Sequence, residues 1–182
     1  TFKLFALMAA LEDKVIDTTT MVDTEKGKVT FYGKYHVRDS KRGGYGIIPV
    51  SQVFERSSNT GIVKLIHENY KKNPHQFTDR LLAMGLDTPL GLAITGEGMP
   101  KIPHPEDPDW DGLDLPWMAF GYGVSLTPLQ TLSYYNAVAN NGELVLPRFV
   151  SSVRSLDGKV VQSFPKKVLN PAICSRETGS KL

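Results

Sequence analysis

Phe54-Glu55-Arg56-Ser57-Ser58-Asn59-Thr60-Gly61 is the stretch on which the reading of this chain turns. Behind it, Ile62, Val63, Ile66 and Tyr70 recur at helical spacing, so a helix follows Asn59 with those side chains on its inner face. Ahead of it, Pro49-Val50-Ser51-Gln52 opens a short helix that runs to about Arg56. The stretch is therefore a corner between two helices. Taken alone it reads as a helix start, with Asn59 as the N-cap and the two serines as turn residues. It also sets a hydroxyl and a carboxamide two residues apart, and both groups can donate and accept hydrogen bonds.

Upstream, Leu4, Leu7, Met8 and Leu11 predict a helix over residues 1–12 with one buried face. Its first turn holds Thr1-Phe2-Lys3, which reads as the remainder of Ser-Thr-Phe-Lys with the serine outside the sequence. Ser-x-x-Lys on a helix puts hydroxyl and amine one turn apart on the same face. A lysine desolvated there can lose its proton and activate the serine. Between this helix and the corner, Val29, Phe31, Tyr35 and Val37 alternate among polar residues and glycines, predicting short strands or extended loops over residues 20–50. Downstream, Asn73-Pro74-His75-Gln76 starts a third helix that ends at Gly85. Residues 86–116 hold six of the twelve prolines and are expected to contain no regular element. Thr127-Pro128-Leu129-Gln130 is a capping box that launches a helix to about Asn140. Residues 144–156 and 159–164 alternate as a hairpin around Asp157-Gly158. Ser175, with Glu177 behind it, caps one more helix.

Composition limits the alternatives. The 182 residues are 41% hydrophobic and 22% charged, the signature of a globular chain rather than a disordered one. With 21 Lys+Arg against 19 Asp+Glu, the net charge of +2 is too small for a nucleic-acid platform. The single cysteine, Cys174, forms no internal disulfide and supplies no cysteine-based zinc site. The longest apolar run, residues 4–11, falls far short of the roughly 20 residues that cross a bilayer.

Three ordered segments carry a family resemblance: Thr1-Phe2-Lys3, residues 54–61 (FERSSNTG), and residues 121–130 (GYGVSLTPLQ) running into Tyr134-Tyr135-Asn136. In them the chain resembles the class B penicillin-binding proteins, the D,D-transpeptidases of peptidoglycan synthesis. Gly96-Glu97-Gly98-Met99-Pro100 and Leu115-Pro116-Trp117-Met118-Ala119-Phe120 are similar to division-type members, especially of the Bacteroidetes kind. The resemblance implies an α/β (α+β) fold. The expected piece is the helix-rich part of the serine β-lactamase/penicillin-binding transpeptidase fold, with little of its central antiparallel sheet. It implies one partial domain over residues 1–182. Lys3 would be the general base of acylation, Ser57 would relay the proton to the leaving group, and Asn59 would hold the substrate amide. No metal or organic cofactor is implied. The implied partners are peptidoglycan stem peptides, β-lactams, the remainder of the parent chain and other cell-wall synthesis or division proteins, with no nucleic acid. The implied location is the periplasmic side of the cytoplasmic membrane, with the anchor outside this chain.

Two departures from the family pattern follow. The nucleophilic serine is expected immediately before Thr1, and the Lys-Thr-Gly motif beyond the last residue, so the piece by itself is expected to be inactive. Glu177-Thr178-Gly179 is not a substitute, because it follows a helix cap and has an acid where the cation belongs. Rival readings are a D,D-carboxypeptidase, a β-lactamase or a β-lactam sensor of the same fold, or a non-catalytic scaffold.

Weaker signals take structural readings. Asp107-Pro108-Asp109-Trp110-Asp111-Gly112 mimics a calcium loop, but Met118 stands where the bidentate Glu belongs, so an Asp-rich turn is expected. His36, His67, His75 and His104 show no ligand spacing and are expected as surface or capping residues. Lys34, His36, Arg38, Lys41 and Arg42, interrupted by Asp39, are expected to form a solvated basic face. Trp110 and Trp117 are expected as packing anchors.

Overall fold

The computed structural model describes residues 2–182. The first helix, α1 (Lys3–Glu12), lies at the centre, and every residue from Leu4 to Leu11 is buried. One buried face was expected; burial instead runs around the whole helix. Phe5, Ala6, Ala9 and Ala10 complete the circle because the helices Asn59–Tyr70, Pro74–Ala83 and Arg176–Lys181 pack around it. A helix enclosed on all sides carries no polar stripe.

The chain then forms β1 (Met21–Asp23), the hairpin β2 (Lys28–Phe31) and β3 (Tyr35–Arg38), and β4 (Ile47–Pro49). β1 pairs antiparallel with β4, and β2 with β3, where Val29 faces Val37 and Phe31 faces Tyr35. Val37, nearly fully buried, is the side chain that this hairpin drives into the core. Next come α2 (Val50–Glu55), α3 (Asn59–Tyr70) and α4 (Pro74–Ala83). Gly61 lets α3 approach α2 closely, since a Cβ there would lie 2.9 Å from both methyls of Val53. The end of α4 is a left-handed Gly85 (φ +88), with Gly85 N donating to Leu82 O and Leu86 N to Leu81 O.

The Pro-rich segment does contain one element, α5 (Asp114–Met118). Pro116 is tolerated because it stands in the first turn, where its missing N–H would have had no intrahelical acceptor. Trp110 and Trp117 pack against the core as expected, and Trp117 meets Phe31 edge-on at 5.8 Å. The helix α6 (Pro128–Ala139) starts at the expected capping box: Gln130 N donates to Thr127 Oγ1 and Thr127 N to Gln130 Oε1.

Beyond α6, β5 (Leu144–Val145) pairs with β8 (Val168–Asn170), and β6 (Ser152–Arg154) pairs with β7 (Val160–Ser163). The expected single long hairpin is thus two short pairs. Pro147, which has no N–H to donate, falls between β5 and β6 and ends the first of them. The turn at residues 155–159 has Gly158 left-handed (φ +84), as the Asp-Gly pair predicts. Finally α7 (Arg176–Lys181) is capped by Ser175, whose hydroxyl accepts Thr178 N. Among the described residues all four sheets have two strands, so the architecture is the expected helix-rich part of an α/β fold.

Candidate active site

The corner at residues 56–60 is built from both sides. α2 ends at Glu55, and the backbone turns through Ser57, which is left-handed at φ +53. Few non-glycine residues adopt that conformation, and it projects the Ser57 side chain outward, exposed, at the join of two helices. Ser58, buried, is the N-cap of α3: its Oγ accepts Gly61 N at 2.9 Å. The expected cap was Asn59. The correction has a plain cause, because Ser58 holds the extended backbone that a cap requires while Asn59 already lies in the helix. The asparagine side chain is thereby released from capping.

Lys3 reaches this corner from the first position of α1. Its Nζ lies 2.8 Å from Ser57 Oγ and 2.9 Å from Ser57 O. Burial pushes the Lys3 amine below its ordinary value, and the nearby charge of Asp39 partly offsets this. The 2.8 Å contact serves two protonation states. As an ammonium, Nζ donates to Oγ; as a neutral amine, it accepts the Ser57 hydroxyl proton while still donating to Ser57 O. Asn59 belongs to the same corner, but its Nδ2 is committed to Arg38 O at 2.9 Å. Its Oδ1 accepts no hydrogen bond among the described residues. Thr1, the other residue of the first motif, lies outside the described residues.

Asp39 is the part that sequence reasoning missed. It looked like an interruption of a basic cluster, yet its carboxylate covers the start of α3. It accepts Asn59 N at 2.6 Å, Thr60 N at 2.9 Å and Ser58 Oγ at 3.0 Å, and Thr60 Oγ1 lies 2.7 Å away. A negative charge on a helix N-terminus is stabilised by its free N–H groups and dipole. No local pattern signals this, because Asp39 acts across 20 residues of chain. The cations of the cluster are exposed, as expected; two of them also lie over aromatic rings, Lys34 over Tyr35 and Lys41 over Tyr45, which Arg56 of the corner meets as well.

The third segment also comes to the lysine's end of α1. Phe2, Phe5, Phe120, Gly121, Val124, Leu126 and Thr131 line a cavity of about 200 Å³. Gly121, at φ +104, brings its backbone against Phe2, where a Cβ would sit 3.0 Å from Phe2 Cβ. Segments far apart in sequence therefore meet around Phe2 and Lys3.

A family model for the penicillin binding protein transpeptidase domain matches residues 1–181. The chain belongs to that family. It is 32% identical over 130 residues to penicillin-binding protein PbpB of Mycolicibacterium smegmatis, covering 71% of this chain and 19% of that protein. It is 27% identical over 192 residues to the peptidoglycan D,D-transpeptidase FtsI of Buchnera aphidicola (Baizongia pistaciae), covering all of this chain and 30% of that protein. Penicillin binding protein 3 of Mycobacterium tuberculosis, solved with aztreonam, superposes with a TM-score of 0.77 at 25% identity, over 99% of this chain and 38% of that one. The chain thus spans only 19% to 30% of the length of these curated relatives.

Other expectations resolve simply. Glu177-Thr178-Gly179 lies inside α7 rather than on an edge strand. The Asp-rich loop is a set of turns, with Asp107 Oδ2 accepting His104 N and Asp111 Oδ1 accepting Leu113 N. Cys174 is buried and free. The histidines do not all stay apart, because His75 and His104 meet beside Asp79. No helix among the described residues is long and apolar enough to cross a membrane.

Proposed function

We propose that this chain supplies the lysine, serine and asparagine of a serine D,D-transpeptidase that cross-links peptidoglycan stem peptides through an acyl-enzyme. The observation that carries the reading is the 2.8 Å contact between Lys3 Nζ and Ser57 Oγ, made by an amine whose burial favours the neutral form. The nucleophile is a serine three positions before Lys3, one turn away on the same helix face. Neutral Lys3 takes the proton of that hydroxyl as its oxygen attacks the carbonyl of the terminal D-Ala-D-Ala bond. As the C–N bond breaks, Lys3 returns a proton through Ser57 Oγ, which gives its own to the departing amine. An amine from a neighbouring strand then displaces the enzyme by the reverse proton path.

Asn59 suits the task of holding substrate: anchoring Nδ2 on Arg38 O leaves Oδ1 to accept an amide N–H. β-Lactams would acylate the same serine, in line with a structural relative solved with aztreonam. The partners in this reading are stem peptides, the rest of the parent chain, and other cell-wall synthesis or division proteins. The catalytic domain works on the periplasmic face of the cytoplasmic membrane, tethered by a segment outside this chain. In this reading a serine one turn before Lys3 and a Lys-Thr-Gly motif complete the site.

A labelled penicillin applied to the full-length protein tests this. The expected result is stoichiometric labelling on the serine before Thr1, slowed by a factor of about 10² to 10⁴ in Lys3→Ala and by a smaller factor in Ser57→Ala. Absent label, or label on another residue, overturns the reading. Rapid release of the label would replace transfer by hydrolysis.

A further inference from the structure

We infer that His75, Asp79 and His104 form a zinc-class metal site that clasps the Pro-rich segment to α4. His75 stands in the first turn of α4, and Asp79 is one turn later on the same face. His104 arrives from the segment between Pro103 and Pro105. One ligand atom from each of the three lies within 4.8 Å of the others. The two imidazoles meet edge-on at 5.2 Å, and His104 Nε2 is 3.0 Å from Asp79 Oδ1.

A histidine–aspartate pair would account for His104 and Asp79 but not for His75, whose ring nitrogens make no hydrogen bond among the described residues. A metal ion explains all three. Zinc bonds of about 2.0–2.2 Å in a tetrahedron place ligand atoms about 3.3 Å apart; His104 Nε2 and Asp79 Oδ1, at 3.0 Å, already stand near that spacing, and the Asp79 side chain is 63% exposed and has room to adjust. His104 is held in place already: its backbone N donates to Asp107 Oδ2 and its carbonyl accepts Asp107 N, both at 2.8 Å. Two imidazoles with one carboxylate select zinc, or a neighbouring late transition ion, over calcium or magnesium, which prefer oxygen ligands. Three protein ligands leave the fourth position to water.

The proton balance is local. His104 Nδ1 accepts the Glu106 amide at 3.3 Å, so Nε2 carries the hydrogen that faces Asp79. When the metal takes Nε2, that hydrogen moves to Nδ1, and the long Glu106 amide bond to Nδ1 is given up. There the Glu106 carboxylate, with Oε2 at 4.0 Å, accepts it after a small rotation. The arrangement becomes carboxylate–histidine–metal, which orients such ligands widely. The clasped segment is also the one whose Lys101 exchanges two 2.8 Å backbone bonds with Ser125, beside the Gly121 loop.

The test is zinc titration of the chelator-treated, full-length protein by calorimetry, with cobalt absorption as a second readout. We expect one zinc per chain at micromolar affinity or tighter. Asp79→Asn and His75→Gln should each weaken it by at least roughly tenfold. Asp79 is an exposed helix position, so its variant should keep the circular dichroism of the metal-free protein, and it decides the matter if a histidine variant misfolds. In wild type, cobalt should give d–d bands that are lost in Asp79→Asn. The inference is overturned if zinc does not bind at up to about 100 μM, or if both variants bind it as wild type does.

Discussion

Replacing Asp39 with Ala tests whether the Ser57 corner is held from outside the helix it begins. The carboxylate takes four donors: Asn59 N, Thr60 N, Ser58 Oγ and Thr60 Oγ1. Two of them have a second partner. The Ser58 hydroxyl can turn its hydrogen to Thr60 Oγ1 at 3.3 Å, and Thr60 Oγ1 its own to Thr24 O at 3.0 Å. The two amides are left orphaned in the first turn of α3. Hydrogen bonds to a charged group contribute about 1.5–3 kcal/mol each, and water reaches this half-buried site, so about 2–4 kcal/mol is the expected loss. Asp39→Asn keeps one acceptor oxygen and should lose about half of that. The assay is urea unfolding of the intact protein, followed by acylation with a labelled penicillin across pH. Because Asp39 raises the Lys3 pKa, Asp39→Asn should also move the rising limb of the acylation profile to lower pH. An Asp39→Ala protein within about 0.5 kcal/mol of wild type, an amount ordinary for an inert surface change, would refute the capping role. An unmoved limb in Asp39→Asn would refute the electrostatic one.

Other perturbations test the surrounding parts. Lys3 has a folded pKa below that of the free amine, so the unfolded chain binds more protons between the two values, and stability attributable to Lys3 rises with pH there. Unfolding free energies measured from about pH 7 to about pH 10 should show wild type gaining on Lys3→Met; a flat or falling difference contradicts the burial argument. Ser57→Gly relieves the left-handed strain at φ +53 while Ser57→Ala retains it. The glycine variant should be the more stable by about 1 kcal/mol in thermal unfolding, although both lose the relay hydroxyl and acylate slowly. Asp13, with its side chain 2% exposed, accepts Arg80 Nε at 2.7 Å and Tyr70 Oη at 2.9 Å. Its replacement by Ala should cost about 3 kcal/mol in urea unfolding. Asp13→Asn should cost clearly less, and equal losses would show that the charge rather than the acceptor oxygens holds this join.

Much of the fold is legible from local pattern. The start of α6 follows from Thr127-Pro128-Leu129-Gln130 because each bond of a capping box lies within four residues. The end of α4 at Gly85 and the start of α7 at Ser175 follow for the same reason. Strand partners did not. Leu144 faces Asn170 and Val145 faces Val168, so the register shifts by one residue at Leu169, a matter of pairing at a distance. The short helix at residues 114–118 was hidden by a proline whose position within the turn, and not its presence, decides the outcome.

The candidate site divides along the same line. Sequence alone determined the groups: an amine at the start of an apolar helix, and a Ser-Ser-Asn corner that opens another, because these chemistries are carried by residue type and near spacing. Only the tertiary structure decided their use. It turned Ser57 outward through a left-handed backbone, gave the cap to Ser58 and so freed Asn59, and set Asp39 over the helix start. It also brought the histidine of a Pro-rich segment to the face of α4. The physical reason is that burial and charge act through space. A lysine's pKa falls, and a carboxylate finds its helix, according to which surfaces the folded chain presses together.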